Sequence, residues 1–412
     1  GQYGSVNTLF GWGPIDWIGN ARYWGVILLQ ALSLYPVMYL NVAAALANID
    51  PAMEQAAENL GCTGFAKFRK ITLPLIMPGL FAGGTIVFIW SFTELGTPLI
   101  MNYLRCTPVQ VFDSIKDIGN SKFPFALVFV MLVMSISVYV VGKFVFGRNV
   151  YAMQSKAATA SNTTAARGLA AFLIPLAFLV VCFCALLPHL GVILTSLTVP
   201  GAWYRSVLPT EFTTQNYQDA LGHGITVSSI GNSLLYSSIA VFANCILGIA
   251  IAFVVVRSKI RLRWLLDALA MMPLAVPGIV MAFGYLAIST QVSNWENVKN
   301  SATLRGLFDV KTDPTLFLVV AYAIRRMPYM VRSAVAGLQQ TSVTLEEASA
   351  NLGASGFYTL RRVTVPLITA NLIAGALLAF AFSMLEVSDS LMLAQQAEKY
   401  PITKTIYELF QL

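Results

Sequence analysis

A chain of 412 residues that is 57% apolar and only 11% charged, with a mean hydropathy of +0.69, falls far below the roughly 25% charge of soluble domains and cannot be one of them. Its formal net charge of +7 would indicate nucleic acid in a soluble protein, but here the placement of Lys and Arg between apolar runs matters more than their sum. Five cysteines without a C-x-x-C pair and two well-separated histidines offer no metal or cofactor site.

Along the chain, charge-free runs lie at 23–49, 75–93, 125–142, 168–195, 230–256, 268–290 and 367–385, each meeting or approaching the ~20 residues of a membrane helix. An eighth run near 314–336 is interrupted by Arg325, Arg326 and Arg332. None alternates with period two, which excludes a β-barrel, so an all-α polytopic membrane bundle is expected. Pro273, Pro277 and Gly278 mark a kink in the sixth run. Residues 143–167 carry Lys143, Arg148, Lys156 and Arg167 among Ala, Ser and Thr and read as a flexible linker. The segments 196–229 and 291–313 read as loops on the side of the membrane opposite the linker.

The most specific signal is a repeat. Residues 54–76, EQAAENLGCTGFAKFRKITLPLI, align without a gap on residues 346–368, EEASANLGASGFYTLRRVTVPLI, with 12 of 23 positions identical. In each copy a short helix is expected, starting near Asp50-Pro51 or Thr344 and ending at Gly61 or Gly353, where a left-handed residue without Cβ costs least. Pro74 and Pro366 fit the first turn of the following membrane helix. Placing both repeats on one side puts 16 of the 26 Lys and Arg residues there, which makes that side cytoplasmic by the positive-inside rule.

The 292-residue period also divides the chain. Residues 1–142 form the later part of a first half with three spans, 143–167 the linker, and 168–412 a second half with five. Counterparts of three second-half spans would precede residue 1, and one first-half span has no counterpart before Leu412. A twelve-span protein cut at both ends is therefore expected.

The pattern E-A-A, three residues, G, nine residues, I-x-L-P resembles the cytoplasmic signature of binding-protein-dependent ABC importer permeases. Here it reads Gln55-Ala56-Ala57…Gly61…Ile71-Thr72-Leu73-Pro74 and Glu347-Ala348-Ser349…Gly353…Val363-Thr364-Val365-Pro366. The resemblance covers both halves and is closest to fused ferric-iron permeases. It implies the type I importer permease fold in two tandem pseudo-equivalent halves, in a bacterial cytoplasmic (inner) membrane. It also implies two ATPase subunits (a homodimer) docked on the two motifs and an external binding protein that delivers substrate. Glu54, Gln55, Ala56, Ala57, Gly61, Glu346, Glu347, Ala348, Ser349 and Gly353 would lie at the ATPase contact. Thiamine, phosphonate or sugar-phosphate permeases of the same class are alternatives. No G-x-x-x-x-G-K-[ST] loop is present, so ATP hydrolysis is expected on the partner, with no catalytic residue, cofactor or nucleic acid here.

Glu94 and Glu386 follow equivalent apolar runs, 292 residues apart. They either line a translocation route near its outer side or end their helices facing water. The stretch Ser91–Pro98 resembles the matching segment of ferric-iron permeases, which favours the route. Arg325 and Arg326 stand where the first copy has Ser33 and Leu34; snorkelling to the cytoplasmic interface is expected, and pairing with a membrane carboxylate is the alternative. A gradient-driven secondary transporter is the reading from another class; it would need a buried relay of charges, and Glu94 and Glu386 are the only candidates.

Overall fold

The structure, a computed structural model, describes residues 3–16, 22–47, 49–114, 121–146 and 167–411. It is helical along most of this length: α1 (Arg22–Ala47), α2 (Pro51–Asn59), α3 (Leu73–Thr93), α4 (Phe123–Phe146), α5 (Leu169–Ser196), α6 (Thr226–Arg257), α7 (Gly278–Ser293), α8 (Thr315–Gln340), α9 (Val343–Asn351), α10 (Thr369–Met384) and α11 (Ser388–Leu393), with shorter helices between them. Of the expected linker, 143–146 continue α4 and 147–166 lie outside the described residues.

Two compact units emerge, one of Gly1–Cys106 with Ile136–Ala220 and one of Thr107–Ser135 with Leu221–Leu412. These do not follow the halves read from the repeat, because Thr107–Ser135 packs with the second. Phe125 of α4, for example, meets Phe283 of α7 edge to face at 4.9 Å.

In the first unit α1 packs along α3, and Gly79 makes this possible. A Cβ there would lie 3.0 Å from the Asn41 carbonyl and 2.5 Å from the Ala45 methyl. Small residues allow such close backbone approach in a membrane, where lipid is as apolar as the side chains and packing must supply the attraction. Helix α5 has no buried residue among its 28. It is hydrophobic all round, as a lipid-facing span should be.

The second unit is centred on α8, which packs against both α6 and α10. Helix α6 presents Ser229, Ser233, Tyr236, Ser237, Ala240, Asn244, Gly248 and Ala252 as its buried face, a stripe of small and polar residues at helical spacing. Met330, Val331, Ala334, Val335 and Leu338 of α8 meet Ala252, Ala270, Ile368 and Leu372 in one apolar core.

Eight spans were expected. Among the described residues four helical stretches are long and apolar enough to cross a membrane: Arg22–Ala47, Gly64–Ile100, Leu169–Ser196 and Thr226–Arg257. Two more qualify only as bent pairs, and Phe123–Val138 is a shorter apolar segment. The break at Ala275–Pro277 turns the chain by 100° between Arg263–Leu274 and Gly278–Ser293, far more than a kink. Pro277 lacks an N–H and is extended at ψ 135°, so the helix cannot run through it. The expected span at 367–385 is also broken, by 75° at Ile368, although its first-half counterpart continues through Pro78. Thr369 Oγ1 donates to the Val365 carbonyl at 2.9 Å, a back-bond that bends helices, and the fully buried Ile368 is pressed onto Gly337. Helix α8 is 26 residues long but carries Arg325, Arg326 and Arg332, so it is less apolar than the other long helices.

At Gly248 an added Cβ would stand 2.7 Å from Met330 Cγ, at the crossing of α6 and α8. Gly248→Val is expected to lower stability by about 1–3 kcal/mol through overpacking, read as a reduced thermal unfolding midpoint in detergent, with Gly248→Ala costing less.

Candidate functional site

Each repeat folds as a helical hairpin running into a membrane helix. Helix α2 starts as expected: the Asp50 carboxylate accepts the Ala52 N–H at 2.9 Å and Pro51 occupies the first turn. Helix α9 starts at Val343, one residue before Thr344, because Ser342 is the cap and its side chain accepts the Thr344 N–H. Both ends match the expectation closely. Gly61 (φ +79°) and Gly353 (φ +84°) are left-handed, and each closes the same pair of bonds. Gly61 N–H donates to Glu58 O and Cys62 N–H to Ala57 O; Gly353 N–H donates to Ala350 O and Ala354 N–H to Ser349 O. This is the Schellman arrangement, in which glycine avoids a Cβ penalty.

The turn is braced differently in the two copies, with one end of the brace at the equivalent positions Lys67 and Thr359 and the other one residue apart. In the first, Lys67 Nζ donates to Glu58 Oε1 at 2.6 Å. In the second, the hydroxyls of Ser349 and Thr359 pair at 2.9 Å. Beyond the turn, Phe68–Thr72 and Leu360–Thr364 each form a π-helical turn at the same offset.

The motif residues divide by direction. Gln55, Ala56 and Gly61, with Glu347, Ala348 and Gly353, are exposed. So are four large apolar side chains at matching positions: Leu60 (88%) and Leu352 (89%), Phe65 (76%) and Phe357 (74%). Glu54, Ala57, Glu346 and Ser349 turn inward instead. Glu54 Oε1 accepts from Thr72 Oγ1 at 3.0 Å, and Glu346 Oε1 from Thr364 Oγ1 at 3.3 Å. Arg257 Nε, at the end of α6, donates to both Glu346 oxygens at 3.2 Å. Its Nη2 donates to the Leu338 and Thr341 carbonyls at 3.0 Å, satisfying the open end of α8.

The second polar site lies deep in the second unit. Glu386 is 3% exposed; it accepts from Arg325 Nη1 at 2.8 Å and is also ion-paired with Arg326. Arg326 Nη2 further donates to Phe382 O at 2.9 Å, and Asp389 Oδ2 lies 3.7 Å from Arg325 Nη1. The bend between Leu274 and Gly278 backs this group, because a Cβ on Gly278 would collide with the Arg325 guanidinium. Arg325 and Arg326 therefore do not snorkel. A buried guanidinium costs several kcal/mol unless paired and hydrogen-bonded, and the carboxylate on the adjoining segment meets both. Nor does Glu386 end its helix in water. Glu94 differs: it is half-buried and accepts from the Gly96 and Thr97 N–H groups at 3.1 and 3.4 Å, capping the short helix Gly96–Ile100. No group of three or more His, Cys, Asp or Glu suited to a metal occurs among the described residues.

This arrangement has relatives. Residues 7–145 and 244–409 match the family described as binding-protein-dependent transport system inner membrane component. The chain belongs to that family. It is 27% identical over 398 residues to a putative ferric transport system permease protein of Haemophilus influenzae, covering 93% of this chain and 58% of that protein. A ferric transport system permease protein of Actinobacillus pleuropneumoniae is 26% identical over 398 residues, covering 93% and 53%. The molybdenum transport system permease protein of Escherichia coli K12 is 29% identical over 188 residues, covering 43% and 77%. The chain spans little more than half the length of the two ferric relatives. For an inner membrane component of this family, an all-α polytopic fold is the expected architecture, and the helices and bent pairs supply it.

Arg257, Asp389, Thr72, Thr364 and Ser342 were not singled out from sequence. Thr72 and Thr364 were visible in principle, since they and Glu54 and Glu346 are among the repeat's identical positions. Arg257 has no such signal, because its first-half counterpart would lie before residue 1.

Glu386→Ala leaves two arginines short of their carboxylate and is expected to cost about 3–5 kcal/mol. Glu94→Ala removes a capping acceptor worth about 1 kcal/mol. Thermal unfolding of the two variants side by side measures the difference, and equal losses would contradict the assignment.

Proposed function

We propose that this chain is the membrane-spanning permease of an ATP-binding cassette importer, coupled through its two hairpins to separate ATPase subunits. The observation that carries this reading is the duplicated hairpin with the same Schellman turn and the same four exposed apolar side chains. An apolar helix end with a bare leucine and phenylalanine is costly in water and suits a groove on a partner. Two such ends suit a pair of like ATPases. Gln55, Ala56, Gly61, Glu347, Ala348 and Gly353 form the docking face, joined by Leu60, Phe65, Leu352 and Phe357. The hairpins are cytoplasmic, and ATP is hydrolysed on the partner. Residues 1–142 and 168–412 act as two tandem halves joined by 143–167.

Substrate is delivered by an external binding protein, and ferric iron is the substrate we infer. The two ferric permeases match 93% of the chain, whereas the molybdenum permease matches 43%. Glu94 and Glu386 belong to the translocation route, with Glu386 held by its two arginines in this conformation. The same pairing speaks against a gradient-driven carrier, whose relay needs a carboxylate that exchanges protons or ions freely.

The full-length protein is expected to co-purify with its ATPase, and the Gly61→Arg, Gly353→Arg double variant to lose it. A left-handed backbone disfavours any side chain, and arginine adds bulk and charge to an apolar face. Wild-type protein that binds no ATPase would overturn the assignment. Uptake of radiolabelled ferric iron, competed against molybdate in the same vesicles, tests the substrate.

A further inference from the structure

Two hydrogen bonds recur at equivalent places in copies that differ at nearly half of their positions. Glu54 to Thr72 and Glu346 to Thr364 each span 18 residues, from the first turn of the hairpin helix to the base of the membrane helix behind it. Both cross a π-helical turn, Phe68–Thr72 or Leu360–Thr364. Such a turn holds an extra residue against the α-helical ladder and is one of the few places where a helix kinks sharply. A hairpin pushed from outside would dissipate part of its displacement there. The carboxylate–hydroxyl bond bypasses the turn and closes hairpin and helix base into one body. The threonines are buried, at 7% and 0% exposure, where a bond to a charged acceptor is stronger than in water.

The second copy adds to this. Glu346 also holds Arg257, and Arg257 holds the last carbonyls of α8. One carboxylate thus ties α9 to the ends of α6 and α8 and to the helix leading into the core around Ile368. The exposed docking residues of the same hairpin point elsewhere.

We propose that Glu54 and Glu346 are positioning residues that transmit movement of each hairpin to the membrane helices, and that neither touches the ATPase. This rests on the coupling role proposed above. It assigns to these residues a task distinct from that of Gln55 and Glu347, their exposed neighbours.

The test uses the full-length protein with its ATPase and binding protein in proteoliposomes, reading ATPase retention, ATP hydrolysis and substrate uptake separately. Glu54→Ala with Glu346→Ala should keep the ATPase bound and hydrolysis within about twofold, while uptake falls by about tenfold or more, the scale of one lost charge-assisted bond. Thr72→Val with Thr364→Val, nearly isosteric and suited to a buried site, should give the same split, and Thr72→Ser with Thr364→Ser should restore uptake. The valine pair decides the matter if the alanine pair fails to accumulate in membranes. Loss of ATPase binding in the alanine pair would make the carboxylates docking contacts and overturn the proposal. Unchanged uptake in the valine pair would overturn it too. Failure of the wild type to bind ATPase at all would instead sink the coupling role, and this inference with it.

Discussion

A carboxylate taken out of water has to be met by the protein, and the second unit is arranged around two places where this happens. Glu386 is closed in by Arg325 and Arg326, and Glu346 by Arg257 and Thr364. In each case the partners stand on elements other than the carboxylate's own, Arg325 and Arg326 on α8 and Arg257 on α6, so the need to neutralise one group fixes how elements meet. The 100° turn before Gly278 and the short helix Ser388–Leu393 both lie against the Glu386 group. An apolar bundle can slide along its own surface with little penalty. A buried ion pair cannot, since displacement strands a charge where no water can reach it. The apolar core around Met330 and Ile368 supplies bulk, and the charged groups supply register.

Much of this was legible beforehand. Long apolar runs bounded by charge imply helices in a membrane because only helices and closed barrels satisfy the backbone there, and these runs lack a barrel's alternation. The hairpins were legible from glycine, proline and capping residues, whose conformational demands are local. Gly61 and Gly353 behave as their chemistry requires. The two bends were less legible. A proline in 268–290 announced a disturbance but not its angle, and nothing announced the bend at Ile368. There a threonine's back-bond and a contact with Gly337 some thirty residues away accompany the break, while the helix that contains Pro78 continues through it.

The charged groups show where reading along a chain stops. Arg325 and Arg326 looked like interfacial anchors because snorkelling is the usual fate of a charge on a membrane helix. What changes that fate is a carboxylate some sixty residues later, and periodicity does not report such a distance. The inward turn of Glu54 and Glu346 is a similar case. By resemblance all the motif residues belonged to one contact surface, yet helical geometry allows only part of a nine-residue helix to face one partner. The remainder faces the protein that carries it.

The first copy has Ser33 and Leu34 where the second has Arg325 and Arg326, although the carboxylate beyond them is present in both. Two permease halves made as separate copies of one short gene product would have to share every substitution. An arginine pair introduced at this position would then appear twice, along with its desolvation cost. Joining both halves in one polypeptide removes that obligation. One repeat can carry a costly charged group while the other has a hydroxyl and an aliphatic side chain. Within one polypeptide the two repeats need not match, and Ser33 and Leu34 against Arg325 and Arg326 show that at these two positions they do not.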